Sequence, residues 1–326
     1  MRYPASEKLE IIRLVERSHL PVRRTLGQLG IAPSTFYRWY DLYQTGGPEA
    51  LEDRSPKPHR VWNRIPDDVR AQILDLALNQ PEPSPRELAV RFTDSKGYFV
   101  SEASVYRLLK AHDLITSPAF VVIKAADEFK EKTTRANQLW QTDFTYLKVI
   151  AWGWLYLSTI LDDFSRYIVA WKLCTTMKAE DVTATLEMAL TASGCDQATV
   201  VHKPRLLSDN GSSYIAGDLA DWLNDRNMEH VRGAPYHPQT QGKIERWHQT
   251  LKNRILLENY YLPGDLEAQI EDFVDHYNHC RYHESLSNLT PADVYCGRRQ
   301  TILLQRERIK RKTIEQRRLH HRKSAA

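Results

Sequence analysis

At 326 residues, with 42% hydrophobic and 26% charged side chains, the chain has the size and composition of two or three globular domains. Met1 to Glu10 holds no apolar signal region. The longest mainly apolar run, Val149 to Leu161, is too short to span a bilayer as a helix, so a cytoplasmic protein without a membrane partner is expected. The net charge of +4 is uneven: +2 over residues 1–130, −7 over residues 131–297 and +9 over residues 298–326, which suits an acidic, metal-binding core that needs help to hold a polyanion.

Leu9, Ile12 and Val15 recur at helical spacing over residues 6–18, with Ser6 as the expected N-cap. A second helix fits Pro21 to Leu29. Gly30 then breaks the chain and Ser34 to Tyr43 follows as a third. Helix, helix, Gly-containing turn, helix is the helix-turn-helix pattern, so residues 1–55 read as a DNA-binding domain. Arg38 on the third helix and the pair Arg23–Arg24 on the second are its expected DNA contacts; a three-helix bundle that binds nothing is the plainer reading.

Residues 56–134 read as a basic linker (Lys57, Arg60, Arg64) followed by a second helix-turn-helix-like group. Its helices are expected at Asp67–Asn79, Pro85–Phe92 and Ser101–Ala111, the last capped at its Ser-rich start. Residues 116–135 look like a linker with some helical character.

From Leu139 the pattern becomes strand-like. Strands are expected at Leu139–Val149, Trp154–Leu161 and Tyr167–Leu173, joined as an antiparallel meander. A helix (Ala179–Ala192), a strand (Thr199–Ser208), a helix (Tyr214–Asn227), a short strand (Glu229–Arg232) and two further helices follow, one holding Glu245 and one spanning Leu266 to about His279. The order predicts an α/β fold: a mixed five-stranded sheet with helices on both faces, resembling the ribonuclease-H-like fold, over residues 135–297.

Three acids stand out. Asp143 lies mid-way along the first strand and Asp209 ends the fourth, so side-by-side pairing would bring them within about one strand spacing, roughly 5 Å. Glu245 would come from a helix crossing that edge. Three carboxylates and no dedicated nucleophile suit divalent metal and in-line phosphoryl displacement. Taken singly, Asp209-Asn210-Gly211 is an ordinary turn signal and Glu245 a solvated helix residue. Asp162 and Asp163 read as turn residues between the second and third strands.

The spacing is more specific than the acids. There are 35 residues between Asp209 and Glu245. Trp140-x-Thr-Asp143, Ser208-Asp209-Asn210-Gly211, Tyr236-His237-Pro238-Gln239-x-x-Gly242-Lys243-x-Glu245-Arg246 and Tyr277-Asn278-x-x-Arg281-x-His283 follow in order. Together they resemble the D, D(35)E signature of the retroviral-integrase type of DDE recombinase, and within it the bacterial insertion-sequence transposases. That resemblance implies that Asp143, Asp209 and Glu245 hold two Mg2+ ions, with Mn2+ able to substitute. It implies cleavage at terminal inverted repeats of double-stranded DNA, joining of the freed 3′-hydroxyl to target DNA, a homodimer or higher oligomer on DNA, and association with a bacterial nucleoid.

Lys252, seven residues after Glu245, shares its helix face with it and is expected to hold phosphate, with Lys243, Arg246 and His248 beside it as further DNA contacts. Ile244, Leu251 and Ile255 mark the buried face. No sustained heptad run and no N-terminal His/Cys zinc module is present in the sequence. His276, His279, Cys280 and His283 fit a helix-end motif better than a zinc site. Residues 298–326 read as a basic tail, either a helix that orders on DNA or a flexible polycation. A DNA-binding regulator with a vestigial core and a nuclease of RNA–DNA hybrids are the rival readings.

Overall fold

The computed structural model describes residues 3–52, 61–80, 83–115, 133–197, 202–232 and 241–323, and it divides into two compact units, Met1–Trp62 and Asn63–Ala326. The basic linker positions Lys57 and Arg60, residues 116–132 of the linker expected over 116–135 and the Tyr236–Gln239 motif lie outside the described residues.

The first unit is three helices, α1 (Ala5–Arg17), α2 (Val22–Gln28) and α3 (Pro33–Gly46), closed by a 3-10 turn at Pro48–Leu51. Ile12, Val15, Leu26, Ile31, Phe36, Trp39 and Leu51 form its core. Gly30 makes the α2–α3 turn at φ 66°, a left-handed conformation that costs glycine little. The expected cap is corrected: α1 begins at Ala5, after extended Pro4 and with no side-chain cap, so Ser6 lies inside the helix. Arg23, Arg24 and Arg38 are all exposed.

The second unit opens with α4 (Asp67–Asn79), α5 (Pro85–Lys96) and α6 (Glu102–Ala111). Ser84 and Glu87 cap α5 reciprocally, and the Ser101 hydroxyl accepts from the Ser104 amide at the start of α6. Helix α5 outruns its expected end at Phe92 because Gly97, at φ 62°, supplies the left-handed stop.

The sheet comprises β1 (Leu139–Val149), β2 (Gly153–Asp162), β3 (Ile168–Cys174), β4 (Arg205–Ser208) and β5 (His230–Arg232) in the order β3-β2-β1-β4-β5. β1–β2 and β2–β3 are antiparallel; β1–β4 and β4–β5 are parallel. One face packs α7 (Ala179–Ser193), α8 (Ser212–Ile215) and α9 (Gly217–Asp225) through Trp140, Ile160, Leu186, Leu190, Leu206 and Leu219. The other packs α10 (Gly242–Ile255) and α11 (Pro263–His279) through Leu147, Leu157, Leu161, Trp247, Leu251 and Ile270. The single helix expected over Tyr214–Asn227 is two, because Ala216 is extended (φ −57°, ψ 136°).

After α12 (Pro291–Tyr295) the basic tail is one long helix, α13 (Arg299–Lys323). Its basic residues are partly spent inside the protein. Arg306 donates to both Asp94 carboxylate oxygens (2.8 and 2.7 Å) and to the Asn288 carbonyl (2.8 Å). Buried Arg317 donates to the Tyr98 hydroxyl (2.9 Å), the Asn63 amide oxygen (2.8 Å) and the Phe99 carbonyl (2.7 Å). Helix α13 thus straps the second helical group to the end of the sheet domain, where Arg86 also pairs with Glu284 at 2.5 Å.

Arg317→Ala should therefore cost about 2–3 kcal/mol, since it removes charge-assisted bonds from a buried guanidinium and leaves the part-buried Phe99 carbonyl without that donor; exposed Arg308→Ala should stay within about 0.5 kcal/mol. Chemical denaturation of both variants measures the difference. Burial and the nearby Arg281 push the His283 imidazole down from 6.5 to about 3, and its Nε2 is buried without a partner. The unfolded chain then binds a proton that the folded chain refuses, so stability should fall as pH drops below about 6.5, by up to about 1.4 kcal/mol per unit from this group. His283→Gln should flatten that slope in denaturation curves taken between pH 4 and 7.

Candidate active site

The β1–β4 ladder runs from Leu139 opposite Arg205 to Gln141 opposite Leu207. Two residues further along each strand stand Asp143 and Asp209, so the parallel register keeps them level, on strands about 4.8 Å apart where they pair. Asp209 then turns the chain: its Oδ1 accepts from the Gly211 amide at 2.9 Å. A Cβ at position 211 would stand 3.0 Å from that oxygen, so the glycine leaves the carboxylate its place.

Helix α10 is pinned against β1 by its first turn. The Gln141 side chain accepts from the Ile244 amide (3.2 Å) and donates to Asp163 Oδ1 (2.8 Å). Lys243 Nζ donates to the same carboxylate (2.9 Å) and to the Asp163 carbonyl (3.0 Å), and Gln241 reaches the Thr142 carbonyl at 3.4 Å. This sets Glu245 beside Asp143. One turn on, His248 Nδ1 lies 3.5 Å from Asp143 Oδ2, and a further turn on, Lys252 Nζ sits 4.1 Å above the Tyr146 ring. Residues 245, 248 and 252 occupy one helix face by their spacing.

The electrostatics mark one shared place. Burial first, and then the charge of Asp143, raise the Glu245 carboxyl above its ordinary value, with His248 opposing. The Tyr214 phenol is raised well above its usual range by burial, then by Asp143, and more weakly by Asp209. Its hydroxyl is buried without a hydrogen-bond partner. A polar atom feeling both acids, beside an acid raised by another acid, is a place that a cation would neutralise. In the arrangement described, no three His, Cys, Asp or Glu side chains among the described residues converge on one point closely enough to ligate an ion together. The chemistry of the donor set nonetheless fits a hard divalent ion: carboxylate oxygens, with no thiol among them.

Several expected DNA contacts stand elsewhere. Lys243 is tied to Asp163, because burial beside a carboxylate favours the pair over solvent. His248 is buried on Asp143 rather than facing outward. Arg246 is exposed but acts on Tyr277 and His283, away from the acids. Asp163 opens the β2–β3 turn as expected, but Asp162 is the last residue of β2, fully buried and accepting from Ser165 and Asn137, which pushes against the burial that raises its carboxyl. Gln141, Asp163 and Tyr214 are the site residues that sequence reading passed over. Gln141 was the unspecified position of Trp140-x-Thr-Asp143, and its amide has no signal outside a three-dimensional partner.

An Integrase core domain family matches residues 133–238, and a second family of the same description matches residues 226–291. The chain carries an integrase core. A Helix-turn-helix domain family matches residues 7–59 and a Homeodomain-like domain family residues 35–109, so the integrase core is preceded by helix-turn-helix domains. The chain is similar to the transposase of transposon Tn552 from Staphylococcus aureus, at 25% identity over 86% of this chain and 62% of that one. It is similar to transposase InsF of insertion sequence IS3A from Escherichia coli K12, at 23% identity over 70% of this chain and 74% of that one. The transposase of insertion sequence element IS629 from Shigella sonnei is 30% identical over 49% of this chain and 52% of that one. The chain therefore spans about three fifths of the Tn552 protein and three quarters of InsF. Among solved structures, the HTLV-2 integrase catalytic core domain in complex with magnesium superposes with a TM-score of 0.40 at 20% identity, covering 50% of this chain and 99% of that one. Integrase-type cores are metal-dependent. No described helix is long and apolar enough to cross a membrane.

Gln141→Ala should destabilise the core by about 1–3 kcal/mol, because it leaves the buried Ile244 amide and part of Asp163 unsatisfied. Surface Gln305→Ala is the neutral control, and thermal unfolding compares them.

Proposed function

We propose that the protein is a DNA transposase whose integrase core cuts at the terminal inverted repeats of a mobile element and joins the freed strand to target DNA. The observation that carries this is the coupling of Asp143 and Glu245 across the β1–α10 contact, with Asp209 level with Asp143 in the sheet register. The described segments of the matched integrase core include all three acids, and the relatives' names point the same way.

Asp143, Asp209 and Glu245 would hold two Mg2+ ions, which Mn2+ could replace. When bound, those ions lower the pKa of an attacking oxygen and neutralise charge on the leaving one. The chain's own residues do the rest. Gln141, Asp163 and Lys243 keep α10 in place, so Glu245 is held beside Asp143 without relying on the ions. The Tyr214 hydroxyl is buried within the field of two of these carboxylates, Asp143 and Asp209. His248 braces Asp143 from the α10 side. Lys252, on the same face, is placed to hold a phosphate of the reacting strand.

In the first reaction a water oxygen bonds to phosphorus, the bond to the 3′-oxygen breaks, and that oxygen leaves as a hydroxyl. In the second, this 3′-hydroxyl attacks a target phosphate, loses its proton, and a target 3′-oxygen leaves. Neither step consumes a nucleotide cofactor. The helix-turn-helix domains, with Arg23, Arg24 and Arg38 exposed, read duplex DNA ahead of this chemistry. Joining two ends of one element calls for at least two copies of the chain on the DNA. A nucleoid-associated protein is the expected setting.

Purified protein, a labelled duplex carrying the element's terminal repeat, a plasmid target and Mg2+ test the reading. Wild type should transfer label to plasmid, while Asp209→Asn and Glu245→Gln should lose at least about a hundredfold, given the several kcal/mol a metal supplies to the transition state. Both variants should still bind the repeat. Tight binding by wild type with no cutting or joining in Mg2+ or Mn2+ would instead establish a DNA-binding regulator.

A further inference from the structure

Beyond the point where β4 stops, β1 and β2 continue beside β3 as far as Tyr156, opposite Cys174, and then as a two-stranded ribbon. On one of its faces Tyr146 stands opposite Tyr156 and Lys148 opposite Trp154. The Tyr146 and Trp154 rings meet edge to face, 5.4 Å apart at 81°, yet remain 57% and 52% exposed. Lys148 Nζ lies 5.9 Å from the centre of the Trp154 ring, and Lys252 Nζ, arriving from α10, lies 4.1 Å from that of Tyr146.

Core packing does not account for this group. The helices on that face cover it as far as Phe144 and leave the next residues of the face open. The two rings brace each other, so the surface is preformed. Each ring carries an ammonium group at one side, which leaves a π-face and a cation together. Lysine is depleted where proteins bury surface against one another, so a second protein chain fits poorly. Exposed rings beside cations are what an unpaired nucleobase and its phosphate need: the base stacks and the ammonium pairs with the backbone.

Position narrows the ligand. Tyr146 is three residues from Asp143 along β1, about 10 Å, with its ring on the opposite face of the strand, and Lys252 reaches that ring from the α10 side. Lys252 is seven residues from Glu245 along α10, also about 10 Å. At about 3.4 Å per nucleotide along a strand, that is roughly three nucleotides.

We propose that Tyr146 and Trp154, flanked by Lys148 and Lys252, form a platform that stacks an unpaired base of the reacting DNA strand within about three nucleotides of the reacting phosphate. This rests on the reading of the core as a DNA-cutting enzyme. It adds a substrate feature: the enzyme favours a strand locally unpaired beside the cut. One role of the platform is to offset the cost of unpairing.

The test uses the full chain and DNA ends carrying 2-aminopurine within three nucleotides of the cut, either paired or mismatched over those three positions. Binding to wild type should quench the probe in the mismatched end. Trp154→Ala and Tyr146→Leu should weaken that quenching complex by about 5- to 150-fold, the range for loss of one base stack, and Trp154→Phe should restore it. In cutting assays Trp154→Ala should be slow on paired ends and recover substantially on mismatched ends.

The proposal is overturned if Trp154→Ala quenches like wild type, or if it is equally slow on both ends. It is also overturned if sedimentation shows that Trp154→Ala changes only the oligomeric state. Ring-dependent quenching by a wild type that never cuts or joins would keep the base-stacking site and remove the cutting reading, so the two fail separately.

Discussion

The site depends on holding like charges together before any cation arrives. Asp143 and Glu245 come from different elements, and Asp143 helps raise the Glu245 carboxyl, so nothing in the acids themselves favours their meeting. The Gln141 amide does that work, bridging the first turn of α10 and Asp163, with Lys243 closing the network at 2.9 Å. Each bond in such a network is modest on its own, but the buried amide and carboxylate would be costly to leave unmade. The two helix–sheet layers then lock it, with Trp247 and Leu251 of α10 buried against Leu147 and Leu157 of the sheet.

Charge is distributed by the same economy. The basic end of the chain looks on paper like an arm for phosphates. Folded, it splits into two faces, one of which is consumed by Asp94, Asn288, Tyr98, Asn63 and the Phe99 carbonyl. Arg306 and Arg317 therefore connect the second helical group to the sheet domain. Exposed Arg308, Arg311, Lys312 and Arg322 remain on the outer side of the same helix.

Lysines near the acids divide in a similar way. Lys243 and Lys252 are equally basic and lie on the same helix, yet one is absorbed by Asp163 and the other rests on an exposed ring. The first is spent on a carboxylate, while the second lies half-buried against an aromatic face. His248 shows the opposite displacement: a polar side chain on the acid-bearing face turns inward and braces Asp143.

Local pattern was enough for most of the architecture. Alternation in Leu139–Val149, the Gly30 and Gly97 stops, and helical spacing in α1, α7 and α10 are properties of a few consecutive residues, and the mixed sheet with helices on both faces follows from their order. The family resemblance was legible for a related reason: the acids of a DDE core sit at characteristic spacings within short motifs. What the sequence left open involves partners distant along the chain. Ala216 breaks a helix whose periodicity runs through it, Ser6 lies inside a helix that opens after Pro4, and Arg317 finds Tyr98 more than two hundred residues away. Gln141 and Tyr146 are ordinary strand residues until α10 is laid beside them. The sequence determined by itself which elements form and which acids could cooperate, because backbone preference and motif spacing are local. Which lysine pairs, which histidine is buried and which rings stay exposed were decided only by tertiary structure, because desolvation and charge pairing depend on what packs opposite.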